Sequence, residues 1–270
     1  MTKVMEADKI KQIKINVPAQ HNPLLKKVLE KINESEEVKT LWTVINTNAL
    51  SRDKITDHGH IHFQIVANIA LKISRILKKR GLQLSIENDY GLSYDHGEIV
   101  IFLASVLHDL GMSVSREGHE EFSLFIANTL LRDLLCDLPM IEKTIIVSDT
   151  LHAIISHRKG GTPKTIEAGI VRVADALDMS EGRSRIPYEK GDINIHSISA
   201  AAIDKVEITE GNEKPIEILI YMNNSAGVFQ VDDLLNGKFK GSGLENYMTF
   251  KASISGDQEK NLLGEVIHQF

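Results

Sequence analysis

The sequence predicts an α+β protein in which a helical part is followed by a small α+β module. Up to about residue 187, apolar residues recur at intervals of three and four, the period of a helix that packs on one face. After Pro187, short segments rich in Ile and Val alternate partly with polar residues, which is typical of strands. We therefore expect a domain boundary near Pro187, with residues 1–187 helical and residues 188–270 forming the module.

The apolar period predicts a series of helices in the first part, preceded by a weakly structured or pairing arm over about residues 1–20. The predicted helices cover residues 24–32, 36–50, 57–79, 96–110, 119–135, 139–157 and 163–179. Cations in a last turn followed by Gly81 indicate where the third helix ends. Gly111 ends the fourth, and Pro163 lies near the start of the last.

The module is predicted to have the element order of a ferredoxin-like α+β unit. Strands are predicted over residues 192–196, 205–209, 216–222 and 248–254, and helices over residues 197–203 and 231–240. Strand, helix, strand, strand, helix, strand is the ferredoxin-like order. Because folds of this type serve many roles, stabilisation, pairing into a homodimer and ligand sensing are all open for this module.

Composition excludes several classes of protein. Of the 270 residues, 25% are charged and 42% hydrophobic, and the formal net charge of -6 argues against a partner that is a nucleic-acid polymer. The longest apolar run, residues 99–107, is too short to cross a bilayer, and residues 1–17 lack the apolar core of a signal peptide. The single cysteine, Cys136, suits a reducing compartment. We therefore expect a cytoplasmic protein without a membrane partner.

His108 and Asp109 follow an apolar helix and are the first candidates for a metal site. Burying a carboxylate beside an imidazole is costly unless a cation compensates for it, and both groups are good ligands for divalent cations. Gly111 ends the helix and leaves room for two neighbouring residues to reach one ion. Taken alone, such a pair is more often a helix end with a favourably placed histidine and an exposed aspartate.

Two further segments present ligands at positions that are otherwise apolar. His62 lies one turn before Val66 on an apolar helix face, and Asp175 occupies the middle of Val-Arg-Val-Ala-Asp-Ala-Leu. Burial of an unpaired Asp175 would cost several kcal/mol, although Arg172 or Arg183 could pair with it. Three such segments in one chain favour a metal site over three separate structural roles.

The order His62, His108-Asp109 and Asp175, each in its own helix, resembles the HD superfamily of metal-dependent phosphohydrolases. The resemblance covers about residues 57–188, and Leu-His-Asp-Leu-Gly and Val-Arg-Val-Ala-Asp-Ala-Leu-Asp are similar to the family's segments. It is nearest to little-characterised archaeal and bacterial HD proteins that carry a small C-terminal α+β module. The resemblance implies an all-α HD-type helical bundle in which one divalent ion is held by His62, His108, Asp109 and Asp175.

Two more histidines resemble ligands of binuclear members, such as the cyclic-dinucleotide phosphodiesterases of the HD-GYP branch. His119 opens one helix and His157 closes another. The resemblance implies that Asp109 bridges two ions and that His119 and His157 complete the second. A solvated helix start and a helix cap are the ordinary interpretations of these two histidines. Gly-Gly-Thr-Pro replaces the Gly-Tyr-Pro signature of that branch, and Met112 replaces its lysine, which argues against a cyclic dinucleotide as substrate.

Basic residues follow the ligand segments, and their head groups fit the oxygens of a phosphate ester. The candidates for binding a substrate phosphate are Arg116, Lys159, Arg183 and Arg185, each of which is otherwise ordinary surface charge. We expect a hydrolase of a small phosphorylated substrate, a nucleotide or a related phosphomonoester or phosphodiester, with Asp109 and His119 as catalytic residues. One or two divalent ions fit the ligands, and Mn, Fe, Co, Ni, Zn and Mg are not distinguished by them.

Two other functions stay open. The HD superfamily includes myo-inositol oxygenase, and its ligand set of four histidines and two aspartates resembles the six ligands of this chain. A di-iron oxygenase is therefore one alternative, although the basic residues favour phosphate chemistry. A metal-stabilised regulatory or scaffold protein is the other, because the module resembles ligand-sensing ferredoxin-like domains.

Overall fold

A computed structural model describes residues 7–53, 55–179, 198–199 and 201–254 of the chain. Its described helices are α1 (Ala7–Gln12), α2 (Pro23–Glu34), α3 (Glu36–Thr47), α4 (His60–Lys79), α5 (Ser85–Tyr90), α6 (Tyr94–Leu107), α7 (His119–Leu134), α8 (Met140–Ser156), α9 (Ile166–Leu177) and α10 (Asn236–Phe239). Its described strands are β1 (Ile203–Glu210), β2 (Ile216–Met222) and β3 (Met248–Ile254). Short 3-10 or π-helical turns cover Asn48–Asp53, Leu110–Ser113, Ser225–Gly227 and Gln230–Leu235.

Helix α6 is the centre of the helical part because it is apolar on every side. All of residues 97–107 are buried, and the helix contacts α4, α8 and α9. The indole N–H of Trp42 donates to the carbonyl of Val106 at 2.9 Å, which ties α3 to its last turn. None of the described helices combines the length and hydropathy that crossing a bilayer requires. Because α6 ends at Leu107, His108 and Asp109 emerge in the interior of the bundle.

Several helices begin at side-chain caps that fix their register. The side chains of Asn22, Ser35 and Thr165 accept hydrogen bonds from backbone N–H groups in the first turns of α2, α3 and α9. Such caps satisfy N–H groups that have no partner within the helix. The cap at Thr165 therefore fixes the start of α9, the helix that carries Asp175.

The predicted helices are found within a few residues of their expected ends, but two short ones, α1 and α5, were not predicted. The N-terminal arm, for which we expected either weak structure or pairing, contacts the helices where it is described. Ile15 and Val17 are buried, and the Asn33 side chain exchanges two hydrogen bonds of 2.9 Å with the backbone of Ile15. Further along, Asn22 donates to the buried carboxylate of Glu98 at 2.9 Å. The arm is thus held against α2, and Asn22, just after the arm, is bonded to α6.

The described strands form one sheet in the order β1-β2-β3. β1 and β2 are antiparallel, and β2 and β3 are parallel, with Ile216 opposite Met248 and Met222 opposite Ile254. Alternate residues of β2 are buried, as the sequence pattern predicted. The α+β class, with helices followed by a small sheet module, is confirmed.

The strand order differs from the ferredoxin-like expectation. In a ferredoxin-like unit, the two strands joined by a helix have another strand between them, whereas β2 and β3 are direct neighbours. The predicted strand over residues 192–196 and the boundary near residue 187 lie outside the described residues. Of the predicted helix over residues 197–203, residues 198, 199 and 201 are helical, and β1 already begins at Ile203. The boundary therefore stays a prediction.

The buried apolar cluster continues from the helices into the sheet. Ile218 and Ile220 of β2 belong to the same cluster as Ile73 of α4, and the Arg80 guanidinium donates to the carbonyl of Gly211 at 2.7 Å. On the other side, α10 contacts α9. The module therefore packs on two helices that carry candidate ligands.

Candidate metal centre

Four imidazoles and two carboxylates meet at the end of α6. They are His62 of α4, His108 and Asp109 after α6, His119 at the start of α7, His157 after α8, and Asp175 of α9. Three overlapping groups of three among these residues have ligand atoms that all lie within 4.8 Å of one another. We call these six side chains the HD cluster.

Gly111 allows α7 to approach the end of α6. A Cβ atom on Gly111 would lie only 1.9 Å from the carbonyl oxygen of His119, so a larger residue would push the first turn of α7 away. The Gly111 N–H donates to the Ser123 hydroxyl at 2.8 Å, which holds the two segments together. This close approach brings His119 beside Asp109.

Each imidazole of the HD cluster is oriented by a hydrogen bond at its outer nitrogen. The Nδ1–H groups donate from His62 to Asp178 Oδ2 (2.6 Å), from His108 to the Ser105 carbonyl (2.9 Å), from His119 to the Arg116 carbonyl (2.8 Å) and from His157 to the Ile154 carbonyl (2.6 Å). Because these oxygens only accept, the proton of each neutral ring is on Nδ1. The lone pair on Nε2 then faces the cluster, as metal-binding histidines require.

The two oxygens of Asp109 face different imidazoles. Oδ2 lies 3.7 Å from His62 Nε2 and 3.4 Å from His108 Nε2, and Asp175 Oδ1 lies 3.5 and 3.6 Å from the same two nitrogens. Oδ1 of Asp109 lies 3.2 Å from His119 Nε2 and 3.4 Å from His157 Nε2. The carboxylate therefore separates two groups of ligand atoms.

These distances and donor types fit divalent ions. Metal–ligand bonds of about 2.0–2.2 Å place neighbouring ligand atoms roughly 3–3.6 Å apart, close to the separations found here. Nε2 of His62 and Nε2 of His108 lie 3.3 Å apart, so their lone pairs face each other when both rings are neutral. A cation between them removes that repulsion. Imidazole and carboxylate together suit a borderline metal ion.

Positive charge on the neighbouring side chains keeps both carboxylates of the cluster ionised. Burial opposes ionisation of both aspartates, yet the pKa of Asp109 is held well below its usual range by His108 and His119. Lys238 and His108 hold the pKa of Asp175 well below its usual range in the same way. Burial also opposes protonation of His119, but Asp109 raises its pKa to about 9. Both carboxylates are therefore ionised and attract cations.

Comparison with known proteins agrees with this geometry. The family model described as HD domain matches residues 59–180, the stretch that contributes all six side chains. A curated relative, Uncharacterized protein MJ1020 of Methanocaldococcus jannaschii, is 39% identical over 242 residues, which cover 89% of this chain and 93% of the relative. The chain belongs to the HD-domain superfamily. Proteins of this superfamily are generally metal-dependent hydrolases.

Asp178 is a residue of the HD cluster's surroundings that the sequence analysis missed. Only 3% of it is exposed, and it accepts the Nδ1–H of His62. A carboxylate behind a ligating imidazole fixes the ring and raises its basicity. The three-residue spacing from Asp175, which places both acids near the end of α9, was a signal that could have identified it.

Arg172 does not pair with Asp175, in contrast to one of our expectations. Its buried guanidinium donates to the carbonyls of Gly161, Gly237 and Lys238. Asp175 instead accepts a hydrogen bond from the Lys238 ammonium of α10. No local sequence pattern had pointed to Lys238, because it lies 63 residues further along the chain.

The predicted phosphate-binding residues are only partly described. Arg116 is exposed, and its carbonyl orients the His119 ring. Lys159 is exposed and lies beside Gly237, because its Cε would be 3.3 Å from a Cβ atom at that glycine. Arg183 and Arg185 lie outside the described residues. Their roles stay predictions.

Proposed function

We propose that this HD protein is a phosphohydrolase that uses two divalent ions to hydrolyse the phosphate ester of a small substrate. The observation that carries this proposal is the division of the Asp109 carboxylate between two groups of imidazole nitrogens. A nucleotide, or a related phosphomonoester or phosphodiester, is the class of substrate that we infer.

In this proposal, each ion has its own ligands and shares Asp109. The first ion would be held by His62, His108, Asp109 and Asp175, and the second by Asp109, His119 and His157. Bound divalent ions lower the pKa of a coordinated water and neutralise charge on phosphoryl oxygens. The reaction then needs no nucleophilic side chain.

The chain's own residues hold the ligands in place and supply the polar surroundings of the substrate. Asp178 keeps the proton of His62 on Nδ1, and three backbone carbonyls do the same for the other imidazoles. His119 is 19% exposed, more than the other five members of the HD cluster. If one ion is bound, His119 Nε2 is the group best placed to exchange a proton with the substrate.

Basic side chains near the cluster would bind the phosphate. Arg116 immediately precedes the segment that presents His119, and Lys159 follows His157 by two residues. Arg183 and Arg185 complete the set of candidates. Guanidinium and ammonium groups both form charge-assisted hydrogen bonds with phosphate oxygens.

The proposal is tested by metal content and hydrolysis in the same preparations. Full-length protein loaded with Mn, Fe, Co, Ni, Zn or Mg is assayed on a panel of nucleotides, sugar phosphates and cyclic dinucleotides. We expect release of phosphate or a nucleotide by the wild type, and loss of both metal and hydrolysis in Asp109→Ala. Asp133→Ala, at an exposed position near the opposite end of α7, is the matched control and should behave as the wild type.

Two results would contradict the proposal. Hydrolysis by metal-free Asp109→Ala would show that the HD cluster is not the site. Wild-type protein that retains two ions but hydrolyses no member of the panel would favour a regulatory or scaffold role. Because four histidines and two aspartates also suit a di-iron oxygenase, oxygen consumption by the iron-loaded protein is measured in parallel.

A further inference from the structure

The C-terminal module contacts one face of α9, the helix that carries Asp175. Residues 169, 172 and 175 are spaced by three and lie close together along this helix. A Cβ atom on Gly169 would lie 2.1 Å from the carbonyl oxygen of Ser242, so the glycine permits a very close approach of the module. Three residues after Gly169, the side chain of Arg172 donates to the carbonyls of Gly237 and Lys238. These contacts hold the backbone of α10 against α9, the helix that carries Asp175.

The third contact brings the Lys238 ammonium to the cluster itself. Its Nζ donates to Asp175 Oδ2, whereas Asp175 Oδ1 faces His62 and His108. The two oxygens of Asp175 are therefore divided between the metal ligands and Lys238. Because they use different oxygens, a metal ion and Lys238 do not compete for the same atom.

Lys238 is also accessible from solvent. Its side chain is 21% exposed, compared with 8% for Asp175, so part of it reaches solvent beside the cluster. A lysine ammonium carries three N–H donors, and the hydrogen bond to Asp175 uses one of them. The remaining donors suit an anionic group that enters from solvent.

We propose that Lys238, supplied by the C-terminal module, binds a phosphoryl oxygen of the substrate at the HD cluster. This inference rests on the proposed phosphohydrolase function and extends it by assigning a substrate-binding residue in the module. With two divalent ions bound, the ions and Lys238 would carry five positive charges, compared with three negative charges on the buried carboxylates Asp109, Asp175 and Asp178. The surplus positive charge matches a phosphoryl group, and the site is incomplete without the module.

The test measures binding of inorganic phosphate, so that it does not depend on knowing the ester. Metal-loaded, full-length wild type and variants are titrated with phosphate by calorimetry, and metal content is determined on the same samples. We expect Lys238→Met to retain its metal and to bind phosphate about 10- to 100-fold more weakly, the loss expected for one charge-assisted hydrogen bond. Lys238→Arg, which keeps the charge, should lose less.

Two further variants guard against effects of folding and of net charge. Lys240→Met removes the same charge from an exposed side chain two residues away and should bind phosphate as the wild type does. Lys238→Gln keeps a polar group beside Asp175 and replaces Lys238→Met in the titration if that variant folds poorly. We expect the same 10- to 100-fold loss of phosphate binding in Lys238→Gln.

Three outcomes would overturn the assignment of Lys238. They are unchanged phosphate binding in Lys238→Met and Lys238→Gln, loss of metal in both variants, and absence of phosphate binding by the metal-loaded wild type. Loss of metal would mean that Lys238 acts by positioning Asp175. If the wild type binds phosphate through Lys238 but hydrolyses no ester, the proposed function fails while this assignment stands. If the wild type hydrolyses an ester and neither Lys238→Met nor Lys238→Gln changes that hydrolysis or phosphate binding, the proposed function stands and the assignment of Lys238 fails.

Discussion

The hydrogen bond from His62 to Asp178 makes a specific prediction about metal affinity. Nδ1 of His62 and Oδ2 of Asp178 are 2.6 Å apart, and their side chains are 1% and 2% exposed. Asp178→Asn leaves an oxygen that can still accept the proton, so the ring keeps its orientation. The substitution removes the negative charge that makes His62 a stronger ligand. We therefore expect weaker metal binding without a change of fold.

The expected loss follows from the difference between two kinds of hydrogen bond. A bond to a charged group contributes about 1.5–3 kcal/mol, and a neutral one about 0.5–1.5 kcal/mol. The difference of roughly 1–1.5 kcal/mol corresponds to an increase in the metal dissociation constant of about tenfold. Asp178→Ala also removes the acceptor, and the loss should then approach the upper end of the 10- to 100-fold range for residues behind a metal ligand.

Competition with a coloured chelator measures these dissociation constants directly. Asp133→Asn, the same substitution at an exposed position of α7, is the matched control and should bind metal as the wild type does. Urea unfolding of each variant shows whether the fold is retained. Metal binding by Asp178→Asn within twofold of the wild type, or tighter, would refute the role that we assign to Asp178.

Two other predictions concern the stability of the fold. Burial, and to a lesser extent Glu167, raises the pKa of Asp149 from 3.8 to about 6, and its Oδ2 has no hydrogen-bonding partner among the described residues. The folded state therefore binds this proton more tightly than the unfolded chain, and the wild type loses stability as the pH rises from about 4 to about 6. Compared with the wild type, Asp149→Asn should have a free energy of unfolding in urea that is higher by up to about 3 kcal/mol at pH 7.5 and only slightly higher at pH 4. An equal difference at both pH values would show that ionisation of Asp149 is not the cause. Gly111→Ala should lower the free energy of unfolding by about 1–3 kcal/mol in the same assay. Because the substitution displaces His119, it should also reduce the metal content. A metal content equal to that of the wild type would show that α7 adjusts to the added methyl group.

Local sequence patterns predicted the elements of this protein well. The 3.6-residue period indicated the long helices, and the apolar run before His108 indicated a buried helix end. The ligand segments could be recognised because His62, His108-Asp109 and Asp175 interrupt apolar helix faces. Their role in binding metal stays a prediction, but the structure brings their side chains within a few ångströms of one another.

Features that depend on contacts between distant segments could not be predicted in this way. The alternation of β2 indicated a strand but contained no information about which strand lies beside it, so the ferredoxin-like order was inferred from element order alone. Lys238 approaches Asp175 only because Gly169 and Arg172 dock the module on α9. Asp178 was not identified because the need of the His62 Nδ1–H for an acceptor was not considered.

The most direct test of the account is to count and locate the metal ions in the full-length protein. Elemental analysis gives the number of ions per chain, and anomalous scattering from crystals gives their positions. The account predicts two ions, one bounded by His62, His108, Asp109 and Asp175, and one bounded by Asp109, His119 and His157. Metal-replete protein in which no ion contacts Asp109 would contradict it.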